Sequence, residues 1–274
     1  MLGALAALVG CGAAWAQEAM YTEAATMPSP GVFVLRPQVH YYRFGAEPDG
    51  SAASTERVIW ATSLQVGIER ALSLTLEVPV AWERIRRPDG SSESNRGVED
   101  LDAMLKWRFF KDDSGGVDTV RAALLAGARF ASGDNRDFSS QSFNPHLGAV
   151  VTVVRGRHGF NQEVSFQFNT GGGGVDNLGG GLGPAEAVRS NTAYLFRLFP
   201  EEYAADTKGS WYLTAELNTL YETNGDWDVR VSPGIMYEAW GFAIEVMAQL
   251  PAVQRLNNRA TLDFGVGVGV RITF

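Results

Sequence analysis

Three histidines are the first candidates for chemistry: His40, His146 and His158. A zinc hydrolase usually presents two of them as HxxxH or HExxH, so that both imidazoles leave one helix face. No pair here has that spacing. A serine hydrolase needs a nucleophile, a base and an orienting acid brought together. His40 lies near a strand end where it could assist a serine, but no GxSxG elbow occurs. His158 falls in a tight turn and reads as a solvated side chain. No constellation converges, so no enzymatic activity, cofactor or metal site is expected. The glycines at 171–174 and 179–181 lie in the longest loop. A phosphate-cradling loop would be followed by a helix, and none follows. The single cysteine, Cys11, sits in an apolar N-terminal stretch, which excludes a disulfide scaffold or a thiolate metal site in the rest of the chain.

The charged residues are arranged differently: they recur at every second position opposite apolar ones. Leu262, Phe264, Val266, Val268, Val270, Ile272 and Phe274 alternate with Asp263, Gly265, Gly267, Gly269, Arg271 and Thr273. This is a strand with one apolar and one small or polar face. The same period-2 pattern recurs in about twelve segments, near 31–45, 56–69, 72–84, 98–111, 118–131, 145–155, 159–170, 188–199, 210–222, 227–238, 240–251 and 260–274. Each is long enough to cross a bilayer as a tilted strand. Tight connections at 69–71, 155–158 and 239–240 alternate with longer ones at 46–55, 84–97, 132–144 and 170–187. The expected fold is therefore all-β, an antiparallel up-and-down transmembrane barrel.

Composition agrees with this reading. The 274 residues carry a net charge of −8, with 45% hydrophobic and 20% charged residues, which is too apolar for a disordered acidic chain. The acidic balance argues against nucleic acid as a partner. Aromatics at 11% and 31 glycines suit strands with two unlike faces. Trp60, Trp82, Trp227 and Tyr221 fall at one set of strand ends, and Trp107, Trp211, Trp240 and Tyr237 at the other. That is the double girdle of a membrane barrel. A soluble β-sandwich would also alternate, but would need neither the girdle nor an export signal.

Met1–Ala16 reads as a secretory signal ending in Ala14-Trp15-Ala16. A lipobox reading of Leu8-Val9-Gly10-Cys11 competes with it. Residues 17–29 then form a periplasmic N-terminal segment, and 30–274 the barrel. Assigning the apolar parity to lipid leaves Arg36, His40, Lys106, Arg108, Arg129, Glu163, Glu216, Arg230 and Glu245 as candidate lumen-lining residues. Gln65, Glu69, Glu77, Glu83, Asp102, Arg121, Gln167, Arg197, Asp263 and Arg271 share that parity. Val270, Ile272 and Phe274 form the expected signal for the barrel assembly machinery.

Three short segments carry a resemblance. Val98 to Phe109, with Glu99-Asp100-Leu101 and Lys106-Trp107-Arg108, is similar to a "GDL…K(Y/W)R" strand. Ala128 to Asp134 stands where an "LPTG" strand end is found. Ser232-Pro233-Gly234-Ile235-Met236-Tyr237, followed by Leu250-Pro251, resembles a penultimate hairpin. All three belong to the outer-membrane proteins named for the meta pathway of phenol degradation. Glu99 replaces a glycine of that pattern, and Ala131-Ser132 a Pro-Thr. The resemblance implies a small outer-membrane barrel that transports aromatic or other small compounds.

Two functional readings stay open at this stage. One is a passive outer-membrane channel for a small-molecule solute, aromatic or hydrophobic ones included. The other is a structural, adhesive or lipid-interacting barrel with a plugged lumen. A hydrolase ranks third.

Overall fold

The computed structural model describes residues 18–114, 117–171, 185–204 and 206–274. The expected signal segment, Cys11 and most of the glycine-rich loop lie outside the described residues. The strands are β1 (Phe33–Phe44), β2 (Ser54–Glu69), β3 (Leu72–Arg86), β4 (Ser92–Val98), β5 (Leu101–Ser114), β6 (Asp118–Phe130), β7 (Asn144–Arg155), β8 (His158–Gln167), β9 (Ala187–Phe199), β10 (Gly209–Glu222), β11 (Trp227–Ala239), β12 (Phe242–Arg255) and β13 (Leu262–Thr273). One short helix, α1 (Asn135–Phe138), follows β6.

All pairings between these strands are antiparallel, and β1 pairs with both β2 and β13, which closes the sheet. Closure leaves the barrel wall no unpaired edge, which a lipid environment demands. β3 pairs first with β5, over Leu72–Glu77, and then with β4, over Val80–Arg86. β4 and β5 are thus one stave broken at Glu99-Asp100, and the barrel has 12 staves.

The stretch 84–97, expected as a loop, is instead a hairpin that extends β3 and β4 beyond the rim. Its turn is set at Asp89-Gly90, where Gly90 has φ 86° and the Asp89 carboxylate accepts from Ser91 N at 2.8 Å. Polar residues occupy both faces there, so hydrophobic alternation could not reveal a strand.

The short connections at Arg70-Ala71, Gly156-Arg157 and Trp240-Gly241 lie at one end of the barrel, together with the C-terminus. We call this the tight-turn end. The opposite, long-loop end carries 45–53, the 87–91 tip, 131–143 and 256–261. The outward row of the wall is apolar: Leu76, Val78, Leu105, Leu124, Leu213, Ile244 and Val268 are all exposed. An apolar belt running round the whole barrel far exceeds what a water-soluble surface carries. It is bounded by exposed Trp60, Trp82, Phe130 and Tyr221 towards the long loops, and by Trp107, Trp211, Trp240 and Phe274 towards the tight turns. Among the described residues no helix is long and apolar enough to cross a membrane.

Candidate functional site

Residues 18–28, part of the 17–29 stretch expected as a periplasmic segment, lie inside the barrel. Ala19, Thr22, Ala24 and Ala25 are almost completely buried. The segment leaves at the tight-turn end, where Pro30 bridges Gly67 and Gly31 N donates to Gly67 O at 2.9 Å. Gly67 is required there, because a Cβ would stand 2.2 Å from Ser29 O.

The segment has no strand partner for its backbone groups, so the inward side chains of the wall must satisfy them. Glu216 on β10 accepts from Tyr21 N at 3.1 Å and from Thr22 Oγ1 at 2.5 Å. Glu163 on β8 accepts from Glu23 N at 3.1 Å, and Thr152 on β7 accepts from Ala25 N at 2.8 Å. Arg36 on β1 donates to Ala19 O at 2.5 Å and to Glu245 at 2.8 Å. Lys106 on β5 donates to Glu23 Oε2 at 2.5 Å and to Ala24 O at 2.8 Å. Arg271 on β13 reaches Glu18 at 3.3 Å and Glu238 at 2.7 Å. Small apolar contacts complete the fit. Ala19 packs with Ala193, Leu195, Tyr212, Met236 and Ala243, and Ala25 with Ala123, Leu125 and Val150. Apolar side chains therefore enter the tight-turn half of the lumen beside the charged ones. The alternating glycines of β13 make room: a Cβ on Gly267 would lie 2.4 Å from Met20 Sδ, and one on Gly265 2.6 Å from Tyr42.

Above this plug, towards the long loops, a cavity of about 230 Å³ remains. Met20 and Tyr21 border it from the plug. One wall is the inward row of β1, where successive rings lie in contact and His40 and Tyr42 are stacked. Tyr21 and His40 are 5.4 Å apart, His40 and Tyr42 6.0 Å, and Tyr42 and Phe44 5.9 Å. The period-2 geometry of a strand places residues 40, 42 and 44 on one face. His40 is fixed by Tyr21 OH, 3.3 Å from Nδ1, and by the Gln38 amide, 3.2 Å from Nε2.

The opposite lining mixes Ile59, Ala61 and Pro79 with charges, Arg57, Arg129 and Arg230 being set against Glu77, Glu99, Asp100 and Asp102. Arg57 is buried between Glu99, which it contacts directly, and Glu83 at 3.2 Å. Asp102 lies 3.1 Å from His146 Nε2. At the stave break Asp100 accepts from Gly133 N at 3.0 Å and from Ser140 N at 2.8 Å. These bonds fold the 131–143 connection across the mouth, and Phe138 is buried against Gly97, where a Cβ would meet its ring at 2.4 Å.

The sequence-derived set is thus divided by the structure. Arg36, Lys106, Glu163, Glu216 and Glu245 meet at the plug. His40, Arg129 and Arg230 line the cavity. Arg108 does neither: it donates to Arg70 O at 2.5 Å at the tight-turn rim, next to a bulge at Arg108/Phe110. Asp263 is a correction. It is exposed beside Arg43, at 3.4 Å, because a bulge at Arg43/Phe44 shifts the register. Arg57, Glu99, Asp100, Tyr42 and Phe44 are cavity residues that parity reasoning missed. Tyr42 and Phe44 share the parity of Arg36 and His40, which was their only signal. Val270 and Ile272 run down β13 to Phe274, which stacks on Phe33 at 5.8 Å and exchanges both backbone bonds with it. Among the described residues no group of His, Asp and Glu side chains is placed to hold a metal ion.

The fold is shared with solved outer-membrane barrels. An outer-membrane channel from Pseudomonas putida F1 aligns over 91% of this chain and 97% of its own, with 12% identity and a TM-score of 0.55. The β domain of the Bordetella autotransporter BrkA aligns over 89% and 100%, with 11% identity and a TM-score of 0.51. At these identities the likeness is one of architecture. No protein-family model and no curated protein sequence matches the chain.

Proposed function

We propose that this protein is an outer-membrane channel for a small solute, closed at rest by its own N-terminal segment. The observation that carries the reading is the plug held by exchangeable hydrogen bonds and ion pairs from seven staves. Such bonds can be traded for water one at a time, whereas a continuous apolar core cannot. The apolar belt and its two aromatic girdles support a bilayer location, and the long-loop end is taken as the cell exterior, as in bacterial barrels generally. The cavity lies on that side of the plug, with aromatic rings along one wall and charged side chains among Ile59, Ala61 and Pro79 along the rest. This combination suits a small aromatic solute bearing a polar substituent. The resemblance to the phenol meta-pathway proteins points the same way.

Single-channel recording in planar bilayers tests the proposal. The parent protein should show rare, small openings, and a chain lacking residues 18–29 should conduct steadily. Equal conductance of the two would refute closure by the plug. The plug also favours a second reading, a structural barrel that passes nothing. Under that reading the truncated chain conducts, but proteoliposomes carrying the parent take up no phenolic solute.

A further inference from the structure

A cluster of arginines stands outside the lumen, on the outer face of the β3–β4 hairpin. On β3 the outward row climbs from Val78 and Val80 through Trp82 to Arg84 and Arg86. Trp82 lies opposite Arg96 on β4, Arg84 opposite Ser94, and Arg86 opposite Ser92. On the other side β2 places Glu56 against Arg84 and Ser54 against Arg86. The lipid-facing row therefore becomes cationic one step beyond the Trp60 and Trp82 girdle, at the level where lipid headgroups lie.

These three arginines differ from their neighbours. Arg57 is buried in ion pairs, Arg43 meets Asp263 at 3.4 Å, and Arg87 meets Glu93 at 2.5 Å. Arg84, Arg86 and Arg96 are exposed and, among the described residues, make no ion pair or side-chain hydrogen bond, although Glu56 stands beside Arg84. Elsewhere the same rim carries aromatics such as Phe130, Phe143 and Tyr221, and Arg255 is stacked 5.5 Å from Trp227. In a chain of net charge −8 the cluster is a local reversal of sign.

We propose that Arg84, Arg86 and Arg96 bind the phosphate groups of lipopolysaccharide in the outer leaflet. Planar guanidinium forks match phosphate oxygens bidentately. Ser92 and Ser94 add hydroxyl donors on the same face, and Trp82 offers an apolar ring to the adjoining acyl chains. Unpaired cations at a lipid boundary attract anionic headgroups, each cation adding to the binding. The inference rests on the outer-membrane reading and on the long-loop end facing outwards. It is independent of whether the barrel conducts.

The test uses the full-length protein purified in detergent, with deep-rough lipopolysaccharide as the probe and the same lipid dephosphorylated as the control. Binding is read by native mass spectrometry. The parent should retain the phosphorylated lipid and bind the dephosphorylated one about tenfold or more weakly. The R84Q/R86Q/R96Q variant should lose the same factor while keeping its heat-modifiable migration, and R255Q should not. Equal binding of the two lipids by the parent overturns the proposal even if the triple variant fails to fold. Complete displacement of the lipid by millimolar inorganic phosphate also overturns it, in favour of a plain anion site. Orientation is checked with S91C on intact cells and an impermeant maleimide. Absence of labelling refutes both the proposal and the outward reading beneath it, whereas labelling without phosphate-dependent binding refutes the proposal alone.

Discussion

Replacing Lys106 by methionine should loosen the plug while leaving the barrel wall intact. The Lys106 side chain is fully buried, and its ammonium donates to Glu23 Oε2 at 2.5 Å and to Ala24 O at 2.8 Å. A third contact, to Thr26 O at 3.4 Å, is too long to contribute much. Methionine keeps the unbranched stem and lacks only the terminal ammonium position, so the loss is chiefly electrostatic. Breaking a fully buried ion pair from one side costs about 3–5 kcal/mol. Glu23 retains 29% of its side-chain exposure and can recover some hydration, so about 2–3 kcal/mol is the better figure. That shifts plug release by roughly 30- to 150-fold. The amides of Tyr21, Glu23 and Ala25 report release directly, because each donates to a wall side chain. Their hydrogen exchange should accelerate by that factor, and exchange in the central strands should not. Adding Glu23→Leu should return exchange towards the parental rate, since the unpaired carboxylate is then gone and Glu18, 4.0 Å from Lys106, keeps Arg271 at 3.3 Å. Parental exchange in K106M, or no recovery in the double variant, would refute the view that this pair holds the plug.

Gly267→Val should expel the plug by a different route, since even a Cβ there meets Met20 and the Tyr21 hydroxyl; open probability should rise with heat-modifiable migration unchanged. Leu105→Arg places a charge on the exposed apolar belt and should cost roughly 2–4 kcal/mol if the site lies near the bilayer midplane, read as lost outer-membrane insertion. Deleting Phe274 removes its stacking and paired backbone bonds with Phe33 at the β1–β13 seam, so folded protein in the outer membrane should fall and periplasmic degradation rise. Glu47, in the loop after β1, is held up at about 7 by burial and then by Asp49. The folded loop therefore binds more protons than the unfolded one between about pH 4.5 and 7. Its packing should weaken as pH rises through that window, seen as faster proteolysis within 45–53 at pH 8 than at pH 5.

The stave pattern was legible because a bilayer-spanning wall must show lipid an unbroken apolar row, and a strand turns alternate residues to one side. The run from Leu262 to Phe274 displays this directly, and its glycines announced a face needing space. β4 was not legible, since Ser92 to Val98 rises above the apolar belt and has no reason to alternate. Tyr42 and Phe44 were hidden by the rule itself: apolar parity was assigned to lipid, yet on β1 these rings share the inward row of Arg36 and His40.

The sequence alone determined that this chain is a barrel of alternating strands and which way most wall residues face, because those features depend on neighbours one or two positions away; the bulge that turns Asp263 outwards and the hairpin over 84–97 came only with the structure. Only the tertiary structure decided that the lumen is occupied. Glu18 to Thr26 carries no period and no motif, and its partners Arg36, Lys106, Thr152, Glu163, Asn191, Glu216 and Arg271 lie on seven strands scattered over the chain. They converge only when β1 meets β13. Closure is what takes water away from the segment's backbone and leaves the inward charges as its remaining partners.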